Sequence, residues 1–351
     1  MRRLQSFLLC LFFPLFAAFW SCKKPPPPKP SPGAELYGRM CAVCHGANGE
    51  GYKADQAPRL AHPYFQASVT DEYLREAIKN GRTGTTMSAW STERGGPLKR
   101  EDIEEVVKFM RASWSHAPRP ALDERANTGD LARAENTFER ECVRCHGAKG
   151  VGGLNVHIGN PQLLQTASNG FLRYAIKNGR PGTPMPSFAG TLGDAGIEDL
   201  TALLRTWADP PPPPPPPAPP PPIPLGPVPL NPKGPEPVGF NAHPATTPVD
   251  VVHAQLQRGA RMALLDARAP SDYMTEHIAG AVSVPFYDPT PYLAKLPKNA
   301  WLVCYCACPH AESGNLALRL VGAGFKKVTV LDEGLGVWRS KNYGVKSGEK
   351  P

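Results

Sequence analysis

One five-residue pattern occurs twice in this chain, as Cys41-Ala42-Val43-Cys44-His45 and again as Cys142-Val143-Arg144-Cys145-His146. C-x-x-C-H reads as the attachment site of a c-type haem. Two thiols have to reach two vinyl groups on one edge of a porphyrin, and the adjacent imidazole has to turn onto the iron. Cysteines three apart with histidine next in line bring the three groups over about one helical turn. Each copy is followed by a methionine in a matching context. Ala77-Ile78-Lys79-Asn80-Gly81-Arg82-Thr83-Gly84-Thr85-Thr86-Met87 answers Ala175-Ile176-Lys177-Asn178-Gly179-Arg180-Pro181-Gly182-Thr183-Pro184-Met185. Histidine on one face of an iron and methionine on the other is an electron-transfer pair, whereas a catalytic haem needs an open position. The expectation is two covalently bound haem c groups, attached to Cys41 and Cys44 and to Cys142 and Cys145. His45, Met87, His146 and Met185 are the expected axial ligands. A zinc reading of C-x-x-C needs two further ligands per site, and no second C-x-x-C belongs to either repeat.

Haem of this type is attached outside the bacterial cytoplasm, and residues 1–22 read as an export signal. Arg2 and Arg3 precede an apolar run from Leu8 to Trp20, which is too short for a comfortable membrane span. The run ends at Ser21-Cys22, ahead of Lys23-Lys24 and a proline tract. This resembles a bacterial lipoprotein signal and implies lipidation at Cys22; ordinary cleavage near Ala17-Ala18 is the rival. The expected location is the periplasmic side of a bacterial membrane or the cell envelope, held by a lipid anchor. The chain has 351 residues, enough for two or three small domains. Its 43 prolines are concentrated in two stretches, 23–32 and 210–239, which read as extended tethers. The formal charge of +8 is scattered rather than striped with aromatics, so the footprint of nucleic-acid binding is missing. That balance suits acidic redox partners or anionic lipid.

Residues 33–116 and 131–209 follow one plan, with 117–130 as a linker. Gly33 to Cys41 reads as a helix into the first motif. A middle helix starts at Thr70-Asp71 and stops at Asn80-Gly81, and a last one starts near Lys99, with Ile103, Val106, Val107, Met110 and Trp114 at helical spacing. Ala134 and Phe138 stand where Gly33 and Tyr37 stood; Phe171, Leu172, Ala175 and Ile176 repeat the middle helix; Ile197, Leu200, Leu204 and Trp207 repeat the last. Each repeat resembles a class I cytochrome c, an all-α domain around one haem. The resemblance implies that a Pro-x-Leu step gives a backbone carbonyl to the proximal histidine, with Pro58-Arg59-Leu60 and Pro161-Gln162-Leu163 as the matching stretches. It also implies that the last helix crosses the first with aromatics at the contact. Met40 and Met110 read as packing. His62, His116 and His157 read as surface or satisfied histidines, with His157 a minor alternative sixth ligand.

Residues 240–347 alternate strand and helix patterns and should form a separate α/β domain with a parallel sheet. Strands are expected at Ala263–Asp266, Val282–Val284, Trp301–Tyr305 and Val328–Leu331, with a helix from Asn315 to Val321. Leu265-Asp266-Ala267-Arg268 with His277-Ile278-Ala279-Gly280-Ala281, and Asp332-Glu333-Gly334 with Trp338 and Gly344, resemble the signatures of a rhodanese domain. The resemblance places a sulfane-sulfur acceptor at Cys306, in a loop leading to a helix N-terminus. Where rhodaneses carry arginine this loop has Glu312. Taken as a carboxylate, Glu312 should raise the thiol pKa and repel thiosulfate. Cys304 reads as a buried strand residue, and Cys308 as a resolving partner, a pairing partner or a bystander. The whole reads as an exported dihaem electron carrier with an appended sulfur-handling domain, its partners being redox proteins of the respiratory or sulfur-oxidising type. In one alternative the last domain transfers sulfur while the haems take electrons. In another it only docks or senses.

Overall fold

The computed structural model describes residues 29–52, 54, 56–208, 226–308 and 310–351. The export signal with Cys22 and most of both proline stretches lie outside the described residues. Among the described residues no helix is long and apolar enough to cross a membrane.

The first repeat begins with α1 (Pro32–Leu36), whose Ser31 cap accepts from the Ala34 amide and whose first position is a proline. It continues as a π-helical turn over Tyr37–Cys41 into α2 (Ala42–His45), so the expected single helix widens at Tyr37 and tightens again after Cys41. Then follow α3 (Pro63–Ser68), α4 (Asp71–Asn80) and α5 (Arg100–Trp114). The second repeat runs α6 (Leu131–Glu141), α7 (Val143–His146), α8 (Pro161–Thr166), α9 (Asn169–Asn178) and α10 (Ala189–Thr206). The middle helices start and stop as the sequence directs. Thr70 and Ser168 cap α4 and α9, and Gly81 and Gly179 end them at φ 63° and 61°.

In each repeat the last helix crosses the first. Gly33 lies so close to α5 that a Cβ there would stand 2.0 Å from the Glu105 carbonyl oxygen. Tyr37 packs on Phe109 and Trp114 at 5.4 and 5.2 Å, and Phe138 on Trp207 at 4.8 Å. One further device repeats. Arg111 of α5 donates to the carbonyls of Gln66 and Val69 at 2.7 and 2.8 Å. Arg205 of α10 donates to the equivalent carbonyls of Leu164 and Ala167. Each guanidinium thereby satisfies the exposed C-terminal carbonyls of the short helix before the middle one.

The two repeats meet through reciprocal contacts between equivalent positions. His62 caps α3 and its Nε2 donates to the Pro181 carbonyl at 2.9 Å. Asn160 caps α8 and its side-chain amide donates to the Thr83 carbonyl at 2.9 Å. Thr83 and Pro181 hold the same place in the two methionine loops, and Tyr73 and Phe171, also equivalent, pack ring to ring at 5.5 Å. His62 is thus a satisfied, buried histidine.

The C-terminal region has a five-stranded, all-parallel sheet in the order β1-β6-β5-β2-β4, built from β1 (Thr246–Thr247), β2 (Met262–Asp266), β4 (Ala281–Ser283), β5 (Trp301–Tyr305) and β6 (Val328–Leu331). A small antiparallel pair joins β3 (His277–Ile278) to β7 (Val345–Lys346). The helices are α11 (Val249–Gln257), α12 (Pro270–Thr275), α13 (Ala311–Gly322) and α14 (Gly334–Ser340). The expected helix starts four residues earlier than its apolar pattern, because its first turn is part of the cysteine loop.

This sheet domain is not held apart from the helical part, as a stiff tether suggested; it docks on the first repeat. Ser88 donates to the Asp272 carboxylate at 2.5 Å, Ser271 donates to the Ala89 carbonyl at 2.9 Å, and Trp90 packs on Tyr287 at 5.6 Å. Helix α13 lies against α2. Polar side chains carry two of these contacts, which is why hydrophobic patterning gave no sign of them.

Candidate functional site

The paired motifs fold alike. His45 and His146 end α2 and α7, each followed by glycine at positive φ, and both rings are buried. His45 Nδ1 lies 3.0 Å from the Pro58 carbonyl, and His146 Nδ1 lies 2.9 Å from the Val156 carbonyl. A carbonyl can only accept, so Nδ1 donates and Nε2 is left bare to act as a ligand. Burial holds both imidazoles below their ordinary pKa, against the pull of those carbonyls, and so keeps them neutral.

Val156 corrects the expectation of Pro161. Three fewer residues separate His146 from Pro161 than His45 from Pro63. The second glycine loop is therefore shorter, Val156 takes the place of Pro58, and Pro161 takes that of Pro63 at the head of the short helix.

The methionine loops are superimposable in their hydrogen bonds. Arg82 N donates to Met87 O at 2.9 Å, and Met87 N to Thr85 Oγ1 at 3.1 Å. Arg180 N donates to Met185 O at 2.9 Å, and Met185 N to Thr183 Oγ1 at 3.2 Å. All eight motif residues, Cys41, Cys44, His45, Met87, Cys142, Cys145, His146 and Met185, line one continuous cavity whose walls include Leu74, Ile78, Leu172 and Leu204. Two thiols, a bare imidazole nitrogen and a thioether per repeat are the donors a covalent haem requires. Arg59 and Arg82 also line the cavity, and Arg59 Nε and Arg82 Nη2 are buried without hydrogen-bond partners. Such orphaned cationic donors suit the propionates that a haem brings. His157 lines the same cavity. Met40 and Met110 are 3% and 2% exposed and pack in the core.

Cys306 sits just beyond the C-terminal end of the central strand β5, where ligands meet parallel sheets. Gly334 closes the site from below: at φ 67°, its Cβ would stand 2.7 Å from the Cys306 carbonyl oxygen. The Asp266–Arg268 ion pair is buried beside it, with Arg268 Nη2 2.7 Å from Asp266 Oδ2. Cys306 Sγ lies 3.3 Å from Cys308 Sγ and 3.2 Å from Ser313 Oγ. Burial pushes the Cys306 thiol up, but hydrogen bonds at Cys308 and Ser313 outweigh it and bring the group down to about 6. The partner thiol of Cys308 is held above the ordinary range by that bond and by burial. Glu312 is 5% exposed, and burial, with Cys306 nearby, raises its carboxyl well above the ordinary value. The carboxylate expected from the sequence is therefore disfavoured at this position, and its effect on Cys306 is smaller than charge counting implied. Cys304 is fully buried in β5, as expected.

Comparison with known proteins gives two family matches. A family described as cytochrome C oxidase, cbb3-type, subunit III matches residues 28–110 and 129–204, and the rhodanese-like domain matches residues 249–341. A cbb3-type cytochrome c oxidase subunit CcoP of Azospirillum sp. (strain B510) is 27% identical over 186 residues, which are 48% of this chain and 58% of the relative. A thiosulfate dehydrogenase electron acceptor of Thiomonas intermedia (strain K12) is 26% identical over 144 residues, 39% of this chain and 61% of the relative. The chain thus spans little more than half the length of the curated relatives it matches. The rhodanese-like domain of an Anabaena sp. protein, solved by NMR, is 27% identical, covering 30% of this chain and 80% of its own, with a TM-score of 0.28. Cytochrome c domains carry covalently bound haem c, and this chain joins two domains of that type to a C-terminal rhodanese-like domain.

Proposed function

We propose that the protein is an exported dihaem c-type cytochrome that carries electrons, with a sulfur-handling domain built around Cys306. The observation that carries this reading is the single cavity lined by both C-x-x-C-H turns and both methionine loops. Cys41 and Cys44, and Cys142 and Cys145, hold one haem each. His45 with Met87, and His146 with Met185, are the axial pairs. A bound haem c supplies one-electron chemistry at its iron. The protein's share is to keep each imidazole in one tautomer through the carbonyls of Pro58 and Val156, to hold the thioethers in loops of identical hydrogen bonding, and to exclude water with apolar walls.

Relatives named for a terminal oxidase and for thiosulfate oxidation support redox partners of respiratory or sulfur-oxidising type, and the net positive charge favours acidic ones. Lipidation at Cys22 holds the chain to the periplasmic side of a bacterial membrane. Cys306 takes up sulfane sulfur as a persulfide: its lowered pKa and its place ahead of α13 favour an anionic sulfur there.

The test has three readouts on the full chain. Pyridine haemochrome analysis is expected to give two c-type haems per chain, and visible spectroscopy of the intact protein to show them low-spin with a sulfur-to-iron charge-transfer band; one haem, or no such band, defeats the ligand assignment. Cys22→Ser is expected to abolish membrane partition. Treatment with a low-charge sulfane donor is expected to add sulfur to Cys306 and not to Cys304; sulfur on Cys308 alone overturns that part.

A further inference from the structure

The mouth of the Cys306 loop is turned toward the first C-x-x-C-H site. Glu312, on the first turn of α13, lines the same cavity as Cys44 and His45, and α13 packs on α2. From Glu312 Oε2 the Cys308 sulfur is 3.9 Å away, the Cys306 and Cys308 sulfurs are 3.3 Å apart, and the three groups lie within 4.8 Å of one another. Cys306 and Cys308 are 1% and 3% exposed. A loop that only received sulfur from small donors would gain from an open mouth. Here two thiols in contact are sealed from solvent, and the buried Glu312 carboxyl, which lines the cavity of the first repeat, stands next to them.

We propose that Cys306 and Cys308 form a dithiol–disulfide couple that exchanges electrons with the c-type haem held at Cys41, Cys44 and His45. This rests on the haem reading of the first motif. The sulfurs need to approach by roughly 1.3 Å to reach a bond length of about 2.0 Å. In the oxidising direction the Cys306 thiolate and the Cys308 thiol become joined by one S–S bond, and one proton and two electrons leave. Glu312 accepts the Cys308 proton, and one proton passes on toward the cavity. The electrons leave singly and would be taken up by two ferric haem c groups, those the chain would hold at His45 and His146. The reverse balances in the same way. The unequal acidity of the two thiols is the usual division between an attacking and a resolving cysteine. The last domain is then a two-electron store attached to a chain of one-electron carriers.

The experiment uses the anaerobic full-length haem protein in two prepared states: thiols reduced with haems ferric, and disulfide formed with haems ferrous. One of the two, whichever lies uphill, is expected to relax with no added reagent. The haem bands should change in step with the loss or gain of two alkylatable thiols in the peptide carrying Cys306 and Cys308, read by mass spectrometry. Cys308→Ser is expected to abolish the relaxation while the haem spectra stay as they were. No relaxation in either state beyond that of Cys308→Ser overturns the proposal. So does a stoichiometric metal ion on the two thiols and Glu312, whose ligand atoms lie within 4.8 Å of one another. If two c-type haems and the Cys306 persulfide persist while neither state relaxes, the coupling alone falls. If the c-type bands are absent, the proposed function falls with it.

Discussion

The same ion pair is built once in each helical repeat, and the two copies are physically different objects. Arg75 meets Glu104 at 2.7 Å with side chains 34% and 42% exposed. Arg173 meets Glu198 at 2.8 Å with side chains 7% and 9% exposed. The geometry is shared, and the cover is not. Residues 117–130 leave the first repeat and wrap over the second, where Arg173 donates to the carbonyls of Asp123 and Arg125, and the Thr128 amide donates to Glu198. The first repeat has its own cover on a different face, where the sheet domain seats Asp272 on Ser88. A duplicated domain thus keeps its internal devices and changes their weight by what is laid over them. Exposed pairs contribute little, and breaking a buried pair leaves a stranded charge.

Loss of a distal ligand should have the largest effect, and it tests whether the two haem-type sites are equivalent. Met87→Ala and Met185→Ala should each open about half of the haem to carbon monoxide and lower one midpoint potential. Titration with carbon monoxide under reduction checks this, and a variant that opens both sites or neither breaks the equivalence.

The ion pairs come next. Glu198→Ala is expected to destabilise the second repeat by about 3–5 kcal/mol, and Glu104→Ala the first by less than about 1 kcal/mol, as read by thermal or denaturant unfolding of the haem protein. The Arg173 hydrogen bond, opposed by burial, holds Glu198 below the ordinary carboxyl value. Its contribution is therefore complete above the unfolded glutamate pKa of about 4.3 and is lost as pH falls through the lower folded value. Equal losses in the two variants would show that the linker's cover has no energetic weight.

The smallest effect belongs to the domain contact. Ser88→Ala should weaken docking of the sheet domain by about 1–2 kcal/mol, seen as faster hydrogen exchange in α12 with unchanged exchange in α9. Unchanged α12 would mean that Trp90 and Tyr287 hold the contact alone.

Much of this was legible in the sequence because it is periodic or punctuated. Thr70, Gly81, Ser168 and Gly179 mark the middle helices through capping chemistry that works locally. Leu265 and Cys304 announce buried strands by apolar runs, and they are paired in register in the sheet. The motif spacing pointed to eight residues that do share one cavity. Other features depended on partners far along the chain. Pro161 misled because a shortened loop shifts the register while leaving a proline in view. Arg111 and Arg205 look like ordinary helix-surface cations until their carbonyl partners are placed. Glu312 was assigned a charge by residue type, and only its burial in the folded chain opposes that charge.

The reciprocal hydrogen bonds between the repeats, His62 to Pro181 and Asn160 to Thr83, have a consequence for divergence. They are the self-complementary contacts that two copies of one domain make across a two-fold axis. Once a covalent linker joins the copies, the contact closes intramolecularly, at an effective concentration in the millimolar range. Bonds too few to hold separate chains together then suffice. Each half is released from having to match its own mirror partner, and imidazole on one side can face carboxamide on the other without loss of assembly.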